Sequence, residues 1–122
     1  MSINLILLVG VGGGLGSLVR YLLSTLFASH NPWVTLIINI VGGFLIGFLY
    51  RFTEHVVQAE SIRAFWMVGF CGGFTTFSTF GLDFFHLFSD HQISSGLIYV
   101  LISVLGTILA VFLGMRTYTF LG

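Results

Sequence analysis

The chain of 122 residues contains no lysine, and its positive charge rests on Arg20, Arg51, Arg63 and Arg116 alone. With no basic cluster, the sequence does not read as a partner for nucleic acid or for polybasic contact with anionic lipid. Charged residues of both signs make up only 7% of the chain, too few to coat a water-soluble domain of this size. The single cysteine, Cys71, cannot close an intrachain disulfide, so cysteine usage says nothing about redox compartment. Catalytic signatures are missing as well. There is no P-loop, no H-E-x-x-H and no Ser-His-Asp arrangement. The histidines are His30, His55 and His91 in predicted loops and His86 near a span end, none at zinc-ligand spacing from a Cys or a carboxylate. The run Gly10–Gly16 (GVGGGLG) resembles a dinucleotide fingerprint in spacing but opens no βαβ unit. The chain does not read as an enzyme.

What it has is apolar length. Hydrophobic residues make up 57%, and the mean hydropathy is +1.07. One membrane-spanning helix takes about 20 apolar residues. Four spans with short connections account for the whole chain and leave no room for a separate soluble domain. The spans are predicted at residues 3–27, 34–50, 64–88 and 96–114. The first lacks a basic flank and is too long for a signal peptide, so it reads as a retained membrane helix. Pro32 lies in the predicted loop 28–33. The polar stretch 51–63, with Glu54, His55, Gln58 and Glu60, reads as a loop with a short helical turn. A second polar link covers 89–95. An even number of spans puts both termini on one side, together with Arg51, Arg63 and Arg116, against Arg20 on the other. That count favours cytoplasmic termini, and its small imbalance permits insertion in both orientations.

Each span carries one small or polar stripe at helical spacing. Span one aligns Gly13, Ser17, Arg20 and Ser24. Span two aligns Thr35, Asn39, Gly43 and Tyr50. Span four aligns Tyr99, Ser103, Gly106 and Ala110, with Thr107 beside them. Span three places Phe77, Phe80 and Phe84 on one face. Glycines four apart (Gly10/Gly14, Gly12/Gly16, Gly43/Gly47) read as helix-packing positions. Phenylalanines at such spacing ordinarily pack. Asn39, a carboxamide at membrane depth, must bond to protein, water or ligand, and its position alone fits joining helices as well as lining a path. Arg20 is an intramembrane charge, a functional marker unless it snorkels to the interface. The most unusual segment is Gly69–Phe80, GFCGGFTTFSTF. Its glycine pair Gly72–Gly73 loosens the backbone, predicting a break there, and irregular backbone at membrane depth requires cover by protein or a water-filled cavity.

Three blocks, GGGLGSLVRY (Gly12–Tyr21), TLIINIVGGFLIG (Thr35–Gly47) and GFCGGFTTFSTF, fall one per span in this order. Together they resemble the Fluc (CrcB-type) fluoride channel family over nearly the whole chain. Departures are mild. Ser17 stands where Ala is usual, Val34 where Gly often precedes the Thr, and Gly43 where Ser is common. The resemblance implies an all-α membrane protein of the bacterial inner membrane, with four transmembrane helices and the third broken. It also implies an antiparallel, dual-topology homodimer with two fluoride pores. Carried onto this chain, it assigns Asn39, Phe77 and Phe80 to the pore, with Ser78 and Thr79 between the rings and Tyr99, Ser103 and Thr107 as a polar track. The broken helix would offer backbone carbonyls of Gly72 and Thr75 to a structural sodium ion on the dimer axis, and Arg20 would be structural.

These residue types suit fluoride. Asn, Ser, Thr and Tyr supply neutral N–H and O–H donors. A phenylalanine rim carries partial positive charge. Such sites hold an anion without trapping it. Two rivals remain at this level. A small dual-topology proton-coupled multidrug exporter would need a membrane carboxylate, and Asp83 is the only acid within a span. A non-transporting membrane scaffold would explain the glycines but not the hydroxyls of TTFSTF.

Overall fold

The computed structural model describes residues 2–27 and 31–122, so His30 and the first half of the predicted loop 28–33 lie outside the described residues. Helix α1 spans Ile3–Leu26 and α2 spans Pro32–Glu54. A single turn, α3 (Glu60–Ile62), runs into a π-helix, π1 (Arg63–Cys71), and then a further turn, α4 (Gly72–Phe74). After an interruption come α5 (Phe77–Ser89) and α6 (Ile93–Leu121). Among the described residues there is no strand. Three helices, α1, α2 and α6, are long and apolar enough to cross a membrane. The predicted third span is the divided segment from π1 to α5.

The helices overrun the apolar spans. Pro32 sits in the first turn of α2, where its missing N–H costs nothing, and Asn31 caps that turn by accepting the Trp33 N–H at 3.0 Å. At the other end α2 continues through Arg51 to Glu54, joined by an ion pair of 2.9 Å, so the first four residues of the predicted polar loop are helical. Arg63 closes this end from outside. Its Nη2 donates to the Thr53 carbonyl at 3.2 Å and its Nε to Thr53 Oγ1 at 3.0 Å, supplying a freed C-terminal carbonyl with a cationic donor. Helix α5 ends in a 6→1 bond, Gln92 N–H to the Leu87 carbonyl at 3.0 Å, with His91 at φ 57° in the position that glycine usually takes.

Two glycine seams hold the helices together. Helix α1 packs on π1 and α4, and α2 packs on α6. In the first seam a Cβ at Gly12 would strike the Phe65 carbonyl, one at Gly16 the Phe70 carbonyl, and one at Gly73 the Gly13 carbonyl. In the second, Gly47 lies on the Val111 carbonyl and Gly114 on the Phe44 carbonyl. Lipid tails are as apolar as leucine, so such close backbone approach, rather than burial from water, is what joins membrane helices. Two sequence expectations are corrected here. Gly10 and Gly14 meet nothing within 4 Å, so that pair packs no helix of its own chain. The break does not fall at Gly72–Gly73, which are helical. It falls at Thr75 (φ −79°, ψ 158°) and Thr76 (φ −151°, ψ 123°). Gly73 serves close approach to α1, not flexibility.

Replacing Gly16 by Ala should force α1 away from the third segment, because the clash is with backbone that cannot rotate aside. The expected cost is about 1–3 kcal/mol, read as a lowered midpoint in thermal unfolding of the detergent-solubilised protein. An unchanged midpoint would show that the seam tolerates separation.

Candidate functional site

Extended backbone at Thr75 and Thr76 interrupts the helical hydrogen-bond ladder at membrane depth, and side chains from three elements take up the freed groups. Asn39, on α2, donates from Nδ2 to the Thr76 carbonyl at 3.1 Å and accepts the Thr76 N–H on Oδ1 at 2.8 Å. Thr76 caps α5, its Oγ1 accepting the Thr79 N–H at 3.1 Å and donating to Thr79 Oγ1 at 3.2 Å. Thr75 Oγ1 donates to the Cys71 carbonyl at 2.8 Å. From α1, Arg20 Nε and Ser17 Oγ both donate to the Gly73 carbonyl, at 3.1 and 3.3 Å. Arg20 is thus tied to the third segment by its Nε.

The carbonyls of Gly72 and Thr75 are among those that lose their helical partners. The Thr76 N–H, which would serve Gly72, turns to Asn39, and the Thr79 N–H, which would serve Thr75, turns to Thr76 Oγ1. Neutral carbonyl oxygens of this kind suit a hard monovalent cation. Among the described residues, no group of three or more His, Cys, Asp or Glu side chains is gathered for a metal.

Beside the break lies an open cleft of about 420 Å³. Asn39, Phe77, Phe80, Ser103 and Thr107 line it, and Gly72 and Thr75 form part of its wall. No charged side chain does. Phe77 is 84% exposed, with its ring centroid 5.4 Å from that of Phe80. Phe80 stacks in turn on Tyr99 at 5.4 Å. Tyr99 is fully buried, with Trp33 edge-on at 6.2 Å, and its hydroxyl donates to the Asp83 carboxylate at 3.2 Å. Asp83 itself is buried.

The hydroxyls of α6 divide into two sets. Thr117 and Thr119 donate to carbonyls one turn back, at 2.8 and 3.1 Å. Ser103 and Thr107, which line the cleft, make no such bond. Ser103 is 5% exposed, and its Oγ is buried without a hydrogen-bond partner, near the Tyr99 hydroxyl but outside bonding geometry. A buried hydroxyl left open beside a cleft calls for an occupant.

The fold therefore gathers Asn39, Phe77, Phe80, Ser103, Thr107, Gly72 and Thr75 at one place. Tyr99 stands behind Phe80 and does not line the cleft. Ser78 and Thr79 belong to the first turn of α5, where Ser78 Oγ lies 3.3 Å from Thr76 Oγ1, and they too are absent from the cleft wall. Asn39 joins helices by clamping Thr76, and it also lines the cleft. Thr76 went unrecognised in the sequence, although a hydroxyl three residues before Thr79 is a helix-start signal. The Asp83–Tyr99 pair has no local signal, because the two residues sit on different helices.

The family model described as "CrcB-like protein, Camphor Resistance (CrcB)" matches residues 7–115. A protein of Rhizobium meliloti (strain 1021) named fluoride-specific ion channel FluC is 46% identical over 117 residues, covering 92% of this chain and 94% of the relative. The FluC of Bacteroides fragilis (strain YCH46) is 42% identical over 118 residues, covering 89% and 91%. FluC 1 of Nitrobacter hamburgensis is 40% identical over 121 residues, covering 95% and 96%.

Asn39→Ala should strand the Thr76 N–H and carbonyl together. A loss of about 1–3 kcal/mol per unpaired group should appear as a marked drop in thermal midpoint. A midpoint equal to that of the native protein would mean that the clamp carries no stability.

Proposed function

Because the chain belongs to the CrcB-like family, with relatives named as fluoride channels, we propose that it is a fluoride-selective passive channel carrying fluoride out of the bacterial cytoplasm. It is a multi-pass membrane protein and not an enzyme. The observation that carries the fluoride reading is the cleft lined by Asn39, Ser103, Thr107, Phe77 and Phe80 with no charged side chain, beside which the Ser103 hydroxyl is buried without a hydrogen-bond partner. Fluoride is small and tightly hydrated, so a path for it must replace water with donors. Hydroxyl and amide protons do this, and ring edges add weak positive potential. A lysine or arginine in the constriction would hold the ion too long for conduction. Hydrogen fluoride enters cells as a neutral acid and dissociates in the more alkaline cytoplasm. An inside-negative potential then drives the trapped anion out through a passive path.

The assembly is an antiparallel dimer with two such paths. Four spans per protomer follow when the divided segment from π1 to α5 crosses the membrane together with α1, α2 and α6. Support for a second copy lies in the openness of the cleft and in Phe77, an aromatic ring 84% exposed beside polar donors. The small arginine imbalance supports insertion both ways. A structural sodium ion fits the freed carbonyls of Gly72 and Thr75, and when bound it supplies a fixed positive charge at the dimer axis.

Purified protein in fluoride-loaded liposomes should release fluoride once potassium and valinomycin supply a compensating path, and little without it, while chloride barely moves. Release without charge compensation, or chloride moving as fast, would exclude a selective passive channel. Phe80→Ile and Asn39→Asp should each lower the flux about tenfold, as loss of an interaction of roughly 1.4 kcal/mol would. Native flux in both folded variants would remove these residues from the path. Cysteine labelling of the termini in intact cells should find both orientations, and uniform labelling from one side would rule out the antiparallel arrangement. Exchange of sodium for N-methylglucamine should lower the thermal midpoint, and indifference to that exchange would dispose of the structural ion.

A further inference from the structure

Gly42 and Gly43, adjacent in α2, each face the methyl group of a threonine. A Cβ at Gly42 would run into Thr75 Cγ2. One at Gly43 would lie 3.1 Å from Thr107 Cγ2, 3.1 Å from the Thr107 carbonyl oxygen and 3.5 Å from Val111 Cγ2. Thr107 therefore lays its methyl in the space that Gly43 leaves open, and its hydroxyl, the other branch of the same Cβ, points elsewhere. A helical threonine ordinarily has a second choice, with Oγ1 bonded to the carbonyl one turn back. Thr117 and Thr119 on the same helix take it. Thr107 does not, and its hydroxyl has no acceptor among the described residues while the side chain lines the cleft.

We infer that Gly43 is a positioning residue of the anion path: its missing Cβ holds Thr107 in the rotamer that leaves the Thr107 hydroxyl free to donate into the cleft. A Cβ at Gly43 crowds the Thr107 methyl at 3.1 Å, which the methyl relieves by shifting a few tenths of an ångström or by rotating away. Rotation about the Thr107 Cα–Cβ bond then turns the hydroxyl toward the Ser103 carbonyl or against the new methyl, and the path loses a donor. This inference rests on the channel reading above.

The test is a double-mutant cycle in the liposome efflux assay with Gly43→Ala, Thr107→Ser and the pair. Serine keeps the hydroxyl and removes the methyl that the new Cβ would displace. Gly43→Ala should lower fluoride flux about tenfold in the native background and less than about twofold in the Thr107→Ser background. An equal loss in both backgrounds would overturn the inference, because it would trace the effect to the Thr107 carbonyl contact and to helix spacing. Native flux in Gly43→Ala would also overturn it. Gel filtration and thermal melting identify misfolded variants. If Gly43→Ala does not fold, Thr107→Val decides: this near-isosteric change removes only the hydroxyl and should lower flux by a similar factor, and unchanged flux would overturn the inference. A native protein that passes no fluoride would instead overturn the channel reading on which the inference stands.

Discussion

The two hydrogen bonds between the Asn39 side chain and the Thr76 main chain are the constraint on which the cleft depends. An unpaired backbone group in hydrocarbon costs several kcal/mol, so a membrane segment can leave the helical ladder only where something else completes it. Here the completion comes from three directions. Asn39 on α2 takes the N–H and carbonyl of one residue, Arg20 and Ser17 on α1 take the Gly73 carbonyl, and Thr76 serves the new helix start itself. Removing any one of these would leave groups at the break unpaired and deprive the start of α5, which carries Phe77 and Phe80, of an anchor. Placement of the rings thus depends on hydrogen bonds between the interrupted backbone and a side chain on a neighbouring helix.

That dependence explains which parts of the molecule were legible in the sequence. Hydropathy located the three helices that are long and apolar enough to cross a membrane, α1, α2 and α6, because a bilayer imposes length and apolarity directly. It misplaced their ends. Helix α2 runs on through Arg51–Glu54 and α6 through Thr117–Leu121, since hydropathy reports the depth of hydrocarbon and not the extent of hydrogen-bonded backbone. The interruption of the third segment was legible in kind and wrong in place by three residues. Glycine permits both backbone freedom and close approach, and nothing local distinguishes the two. Gly73 is occupied by contact with Gly13 of α1. The actual break lies where a hydroxyl can cap the next helix and a carboxamide can reach across, and the second condition belongs to tertiary structure.

The same division runs through the candidate site. Asn39 could be singled out as a residue type out of place in a lipid-facing helix, whereas Phe77, Phe80, Ser103 and Thr107 are assigned through the family resemblance, and the fold brings all five together. Asp83 could be singled out too, but not its partner. A carboxylate within an apolar span invites a reading as a proton or cation site. Instead its oxygen accepts the hydroxyl of Tyr99, whose ring backs Phe80. The acid thereby bears on the aromatic stack from behind, at one remove from the cleft.

Charge is used sparingly throughout and mostly at the edges. Arg51 pairs with Glu54, Arg63 closes the end of α2, and Arg116 lies over the Phe112 ring at 5.3 Å. Only Arg20 reaches toward the middle of the third segment, and there it is directed at a backbone carbonyl. The side chains lining the cleft are all uncharged, and its polar ones are the Asn39 amide and the hydroxyls of Thr75, Thr76, Ser103 and Thr107. Dipoles have a property that fixed charges lack, because a hydroxyl can be withdrawn by turning it onto the helix's own carbonyls, as Thr117 and Thr119 are turned. A path built from such groups is therefore specified by the apolar surroundings that decide which rotamer each hydroxyl adopts. On α6 the sequence Ser-Val-Leu-Gly-Thr does not itself distinguish a free hydroxyl from a back-bonded one. For Thr107 the distinction is made across the seam by Gly43 on α2, whose role in packing and whose role in presenting a donor are one physical fact: the absence of a methyl group.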